Sequence, residues 1–173
     1  MDLRRLFVSS WLMAGLLVGC RKADNPPLVD ASLPPVPTQA QPRLHTMKIY
    51  LGPHELATEI AMRPLELQTG MMFRESMAET EGMLFVMGRP HQASFYMKNT
   101  KVPLSCAYID AEGVILEIYD MKPFDETSIV AKSNQIVYVL EVPQGWFERH
   151  QVKPGTVLRT ERGALQETFF GRQ

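Results

Sequence analysis

Cysteine is scarce in this chain, with Cys20 and Cys106 the only two among 173 residues. So little thiol excludes a disulfide-stapled fold, and the chain must hold itself together by burying apolar side chains. Long apolar runs are missing as well, because Leu6 to Val18 falls short of the ~20 residues that cross a bilayer. No run of Lys or Arg appears, and 18 basic against 19 acidic residues leave a formal net charge of −1. That balance argues against a nucleic-acid partner, which requires a basic surface, and against a polybasic contact with lipid headgroups. His45, His54, His91 and His150 are scattered without metal-ligand spacing, and neither His-Glu-x-x-His nor Gly-x-Ser-x-Gly occurs. Asp120, Asp125 and Glu126 fit no calcium-loop spacing. The expectation is a chain with no catalytic constellation, no metal and no cofactor.

What is present begins with an address. Arg4 and Arg5 precede the apolar stretch, which closes on Leu17-Val18-Gly19-Cys20, the pattern of a bacterial lipoprotein signal. Residues 1–19 are expected to be the signal peptide and Cys20 the lipidated (palmitate-type) N-terminus of the mature chain. Two or three acyl chains, at ~0.8 kcal/mol per buried CH₂, would make the membrane a near-permanent partner. In Gram-negative lipoproteins an Asp after that cysteine commonly retains the protein at the inner membrane. Arg21 therefore points to the periplasmic face of the outer membrane. Residues 20–43 carry Pro26, Pro27, Pro34, Pro35, Pro37 and Pro42 and no aromatic side chain. Such a segment reads as a disordered, extended tether reaching up to ~70 Å, dispensable for folding. Residues 44–173 are left as a single β-rich domain.

Apolar alternation and turn signals set that domain's elements. Strands are expected at Met47–Leu51, Glu55–Met62, Met83–Met87, Val102–Ile109, Val114–Met121, Gln135–Val142 and Thr156–Thr160. Pro64 suits the first turn of a short helix, Ser76-Met77-Ala78-Glu79 has the form of a capping box, and Pro143 opens a second helix around Trp146 and Phe147. The expected fold is mainly β, a compact antiparallel sandwich or barrel-like domain with one or two short helices. Cys106, inside a strand, reads as a small buried apolar group.

Three blocks carry a resemblance: Thr69-Gly70-Met71-Met72-Phe73-Arg74-Glu75-Ser76-Met77 with Glu81-Gly82-Met83-Leu84-Phe85-Val86; Ser94-Phe95-Tyr96-Met97-Lys98-Asn99-Thr100; and Val139-Leu140-Glu141-Val142 through Gly145-Trp146 to Lys153-Pro154-Gly155. In this order and spacing they resemble the domain of unknown function family 192. The resemblance implies a compact, mainly β domain, often behind a signal sequence, and it supplies no activity. This chain departs from the family's pattern at Tyr96, where Trp is usual, and at Ser105, where Asp is usual.

Glu141 is the residue that breaks its strand's pattern, a carboxylate on the face shared with Val137 and Val139. Burial there is costly unless a cation or hydrogen-bond donors meet it. Lys98, at a polar corner with Asn99, and Arg74 are the available partners. Arg74, Phe95, Tyr96, Lys98, Asn99, Glu141 and Trp146 are therefore the candidate ligand pocket. The expected function is a lipid-anchored cell-envelope protein with a non-catalytic ligand-binding or accessory domain, acting on a small ligand or another envelope protein. One alternative is an envelope enzyme using Lys98, Asn99 and Glu141. The other is a copper-handling module through Met71, Met72, Met77, Met83, Met87 and Met97, whose soft thioethers suit Cu(I) but also fill cores.

Overall fold

Tight turns and two-residue alternation build a mainly β domain in the computed structural model, which describes residues 36–171. The signal sequence, Cys20 and most of the Pro-rich linker lie outside the described residues. Strand β1 (Thr46–Leu51) turns at Gly52, φ 59°, into β2 (His54–Ala61), and helix α1 (Pro64–Thr69) follows. Next come β3 (Glu81–His91), β4 (Ser94–Phe95), β5 (Leu104–Ile109), β6 (Ile115–Met121), β7 (Ile129–Val130) and β8 (Ile136–Pro143). Helix α2 (Trp146–Arg149), β9 (Leu158–Thr160), β10 (Gly163–Ala164) and α3 (Leu165–Phe170) follow among the described residues.

Eight strands form one sheet in the order β10-β9-β1-β2-β3-β8-β5-β6, and β4 pairs with β7 in a small second sheet. The expected β class holds, with two corrections. The large sheet is mixed, because β2 and β3 run parallel, and the helices number three among the described residues. A parallel neighbour cannot be reached by a hairpin, so residues 62–80 cross over between β2 and β3 and bring α1 with them. The sheet does not close into a barrel, although its two ends approach. An isolated bridge joins Val114, just before β6, to Val157, just before β9.

Alternation gives each face of the sheet its own core. Leu84 and Val86 of β3 join Ile49, Leu56, Ile109, Leu140, Trp146 and Leu158 on one face. Met83 and Phe85 join Met71, Met97, Cys106, Tyr108 and Val139 on the other. The thiol of Cys106 is buried, and burial pushes its pKa above the ordinary thiol range. Val137 lies with the first cluster rather than beside Val139, because alternation breaks at the start of β8.

Two local expectations are corrected. Ser76 to Glu79 opens no helix; its box-like bond is Ala78 N–H donating to Glu81 Oε2 at 2.9 Å, which leads into β3. The segment expected to be free up to residue 43 is docked at its end. Gln41 Nε2 donates to the carbonyls of Glu66 and Gly70, at 3.3 and 3.0 Å, at the C-terminal end of α1, where Glu66 O also accepts from Gly70 N–H. Pro42 O accepts from Arg74 at 3.2 Å, and Arg43 reaches Glu59 and Glu81 at 2.9 and 3.1 Å. Arg43 is largely exposed, so its ion pairs contribute little; the bonds of Gln41 matter more. A chain beginning at residue 44 should be less stable than one beginning at residue 36 by about 2 kcal/mol, or ~6 °C in melting temperature. Equal melting temperatures would show that these residues add nothing to the fold.

Candidate functional site

The β2–β3 crossover lays α1 and residues 70–72 over the second core face, beside the loop that carries β4. Between them lies a cavity of about 250 Å³, lined by Gly70, Met71, Met72, Phe85, Met87, Ser94, Phe95, Tyr96, Thr100 and Glu141, with Leu67 to Thr69 at the α1 side. Gly70 is where a side chain is least tolerated. Its φ of 46° disfavours L residues, and a Cβ would sit 3.0 Å from the Phe85 ring. Phe85 and Phe95 meet edge to face, with centroids 4.9 Å apart.

Glu141 faces this cavity from β8, an interior strand between β3 and β5. The residue is only 5% exposed, and its Oε2 has no hydrogen-bond partner. Burial alone pushes its pKa from 4.5 up to about 8, so the carboxyl is mainly protonated at neutral pH. Directly across the ladder are Met83 of β3 and Cys106 of β5.

The expected cations do not reach it. Met83 is also the register partner of Glu59 on β2, so Glu59, Met83 and Glu141 form one row across three strands. At 4.7–4.9 Å per strand, the two carboxylates stand ~10 Å apart on the same face. Arg74 goes to the other one. Its Nη2 lies 3.0 Å from Glu59 Oε2, with Glu59 buried and Arg74 mostly so, and Leu44 N–H adds a bond of 2.7 Å to the same oxygen. Lys98 is exposed and does not line the cavity, and among the described residues no ion pair includes it.

Of the seven candidate pocket residues, the structure therefore brings together Phe95, Tyr96 and Glu141. Arg74 is a structural ion pair. Asn99, at φ 53°, uses its carbonyl to accept from Phe73 N–H at 2.8 Å, which ties down the crossover rather than lining the cavity. Trp146 belongs to the first core face, 1% exposed, donating from Nε1 to Glu79 O at 3.0 Å and stacked on His150 at 4.2 Å. The grouping of Lys98, Asn99 and Glu141 that the enzyme alternative needs is not formed. Ser105 lies away from the cavity: its hydroxyl donates to Asp120 and accepts from Gly145 N–H at 2.8 Å.

Sequence reasoning missed Gly70, Met72, Phe85 and Thr100 as cavity residues. A signal was there, in the small Gly70 set among the bulky residues of the first resemblance block. Met71, Met83 and Met97 pack in the second core cluster, with Met77 and Met87 against it. Among the described residues no group of three or more His, Cys, Asp or Glu is placed to hold a metal.

Comparison with known proteins agrees with the architecture. A proposed transcription regulator from Sinorhizobium meliloti 1021 is 31% identical with a TM-score of 0.66, over 70% of this chain and 98% of that one. A protein of unknown function from Novosphingobium aromaticivorans DSM 12444 is 30% identical with a TM-score of 0.64, over 67% of this chain and 86% of that one. No curated protein matches. Residues 47–160 match DUF192, described as an uncharacterized ACR. The chain belongs to the DUF192 family.

Proposed function

We propose that this protein is a lipid-anchored component of the cell envelope whose DUF192 domain binds a small ligand in the Glu141 cavity without catalysing a reaction. The observation behind the binding role is a buried carboxyl group with one oxygen unpartnered, in the lining of a cavity that also carries aromatic and thioether side chains. An unsatisfied buried polar atom costs ~1–3 kcal/mol. A protein that gained nothing from it would be better served by an apolar side chain. A cavity of about 250 Å³ lies below the ~300–1,000 Å³ of sites for drug-sized molecules, so the ligand is small. The envelope role rests on the lipobox ending at Cys20 and on the linker. The S. meliloti relative is described as a proposed transcription regulator; the near-even charge balance of this chain, with no run of Lys or Arg, gives a nucleic-acid role no support here.

Both halves have a direct test. Cys20→Ser should release the protein from the membrane fraction and abolish labelling by fatty acid; a variant that stays bound contradicts the anchor. For the cavity, the methionine methyls are built-in reporters. With ¹³C-methyl methionine, a screen of small soluble compounds should shift Met71, Met72 and Met87 and leave Met47, on the opposite face, unmoved. Failure of every compound to move the three would contradict the binding role. The copper reading keeps one observation in its favour, the three thioethers lining the cavity. Anaerobic Cu(I) should nonetheless leave their signals unchanged, and stoichiometric shifts would make this a copper site.

A further inference from the structure

The chemistry of the cavity selects among small ligands, an argument that rests on the binding role proposed above. An anion would face the desolvated carboxyl of Glu141 and gain nothing. A purely apolar ligand would fill the space and leave Oε2 unpartnered. A neutral hydroxyl or amide would add one hydrogen bond, of net value ~1 kcal/mol. An ammonium group gains more: it pairs by charge with the carboxylate, through a stronger charge-assisted hydrogen bond where the nitrogen carries a proton, and it is attracted to aromatic faces. Phe85, Phe95 and Tyr96 supply aromatic rings in the same lining as Glu141. The internal cation that could have competed, Arg74, is held two strands away by Glu59.

We propose that the cavity takes a small organic cation, an alkylammonium or N-methylated ammonium, whose charge is met by the Glu141 carboxylate and whose carbon substituents lie against the aromatic and thioether walls. Binding is then an exchange of cations. The empty site holds Glu141 as the acid; the ligand replaces that proton, which passes to solvent, and no covalent bond is made. About one proton is released per ligand at neutral pH, and affinity rises about tenfold per pH unit until the empty site itself ionises near pH 8.

The titratable neighbours on β5 and β6 are held outside that window. From β5, Cys106 and Tyr108 are both pushed upward, mainly by burial. From β6, Tyr119 is pushed up to about 12 by its hydrogen bond to Glu117, and Glu117 is held low. For Glu117, burial works upward and is outweighed by bonds from Tyr119 and the amides of Lys132 and Ser133. From β2 and the crossover, Glu59 is engaged by Arg74 and Arg43.

The test is calorimetry on the full-length protein with choline, n-butylammonium and 3,3-dimethylbutan-1-ol, the neutral isostere of choline. At least one of the two cations should bind at millimolar concentration or below, and choline at least tenfold more tightly than its isostere. The cation that binds should tighten about tenfold from pH 6.5 to 7.5, and its heat in phosphate and in MOPS, whose sulfonate bars it from the site, should report about one proton released. Glu141→Gln should abolish the preference for cation over isostere. If the isostere binds as well as choline, the cation proposal fails while the cavity remains a ligand site. Should neither cation bind at millimolar concentration, the cation proposal fails as well, and the methyl screen decides the binding role independently.

Discussion

Between pH 5 and pH 8 the wild-type protein should lose on the order of 3 kcal/mol of stability that a Glu141→Gln variant keeps. The sign follows from the direction of the shift. In the unfolded chain Glu141 ionises near 4.5, whereas in the folded chain burial holds it protonated to about 8. Below pH 4.5 both states carry the proton and the residue is neutral to folding. Above it the unfolded state sheds a proton that the folded state retains, so unfolding becomes easier with each pH unit. The loss is complete only once the folded carboxyl has ionised too. Glutamine keeps the shape without the titration. Urea unfolding of both proteins at the two pH values isolates this effect, because every other titrating group is common to the pair. Parallel behaviour of wild type and variant would mean that Glu141 finds a partner or solvent in solution.

The second large effect belongs to the other carboxylate in the row. Glu59 is 5% exposed and accepts from Arg74, Arg43 and the amide of Leu44. Removing one partner of a buried pair leaves the other charge unmatched, at ~3–5 kcal/mol. Arg74→Met and Glu59→Leu should each fall in that range. The double variant should recover much of the sum, because it buries two apolar chains and strands no charge. Glu59→Leu should fall furthest, since it also frees Leu44 N–H and loosens the docked residues 41–44. Single variants within 1 kcal/mol of wild type, or additive losses in the double, would show that the pair does not act as a buried unit.

These two carboxylates also show where sequence reasoning stops. Alternation along Ile136 to Val142 was enough to single out Glu141 as a carboxylate on an apolar face, and the strands themselves lay in the same pattern. Local rules of period two and of turn residues reach that far. Which cation meets which carboxylate is set by the order β2-β3-β8 and by the parallel register of β2 on β3. Those strand pairings join Glu59 to Met83 and Met83 to Glu141, 24 and 58 positions apart, and leave no periodic trace. The docking of Gln41 on α1 was hidden for the same reason, since its partners lie 25 and 29 residues away. Ser76 to Glu79 had the local form of a helix start, yet the chain there is drawn out to enter β3. Trp146, expected in the pocket, covers the first core instead, because of the side of the sheet on which α2 packs.

¹³C NMR observes the unpaired, mainly protonated carboxyl of Glu141 in the cavity lining directly. With glutamate labelled at the side-chain carboxyl, and Glu141→Gln used for assignment, the Glu141 resonance of the ligand-free protein should titrate in a single step near pH 8. A midpoint near 4.5 would place the carboxyl in water or against a cation, and would contradict the cavity as described.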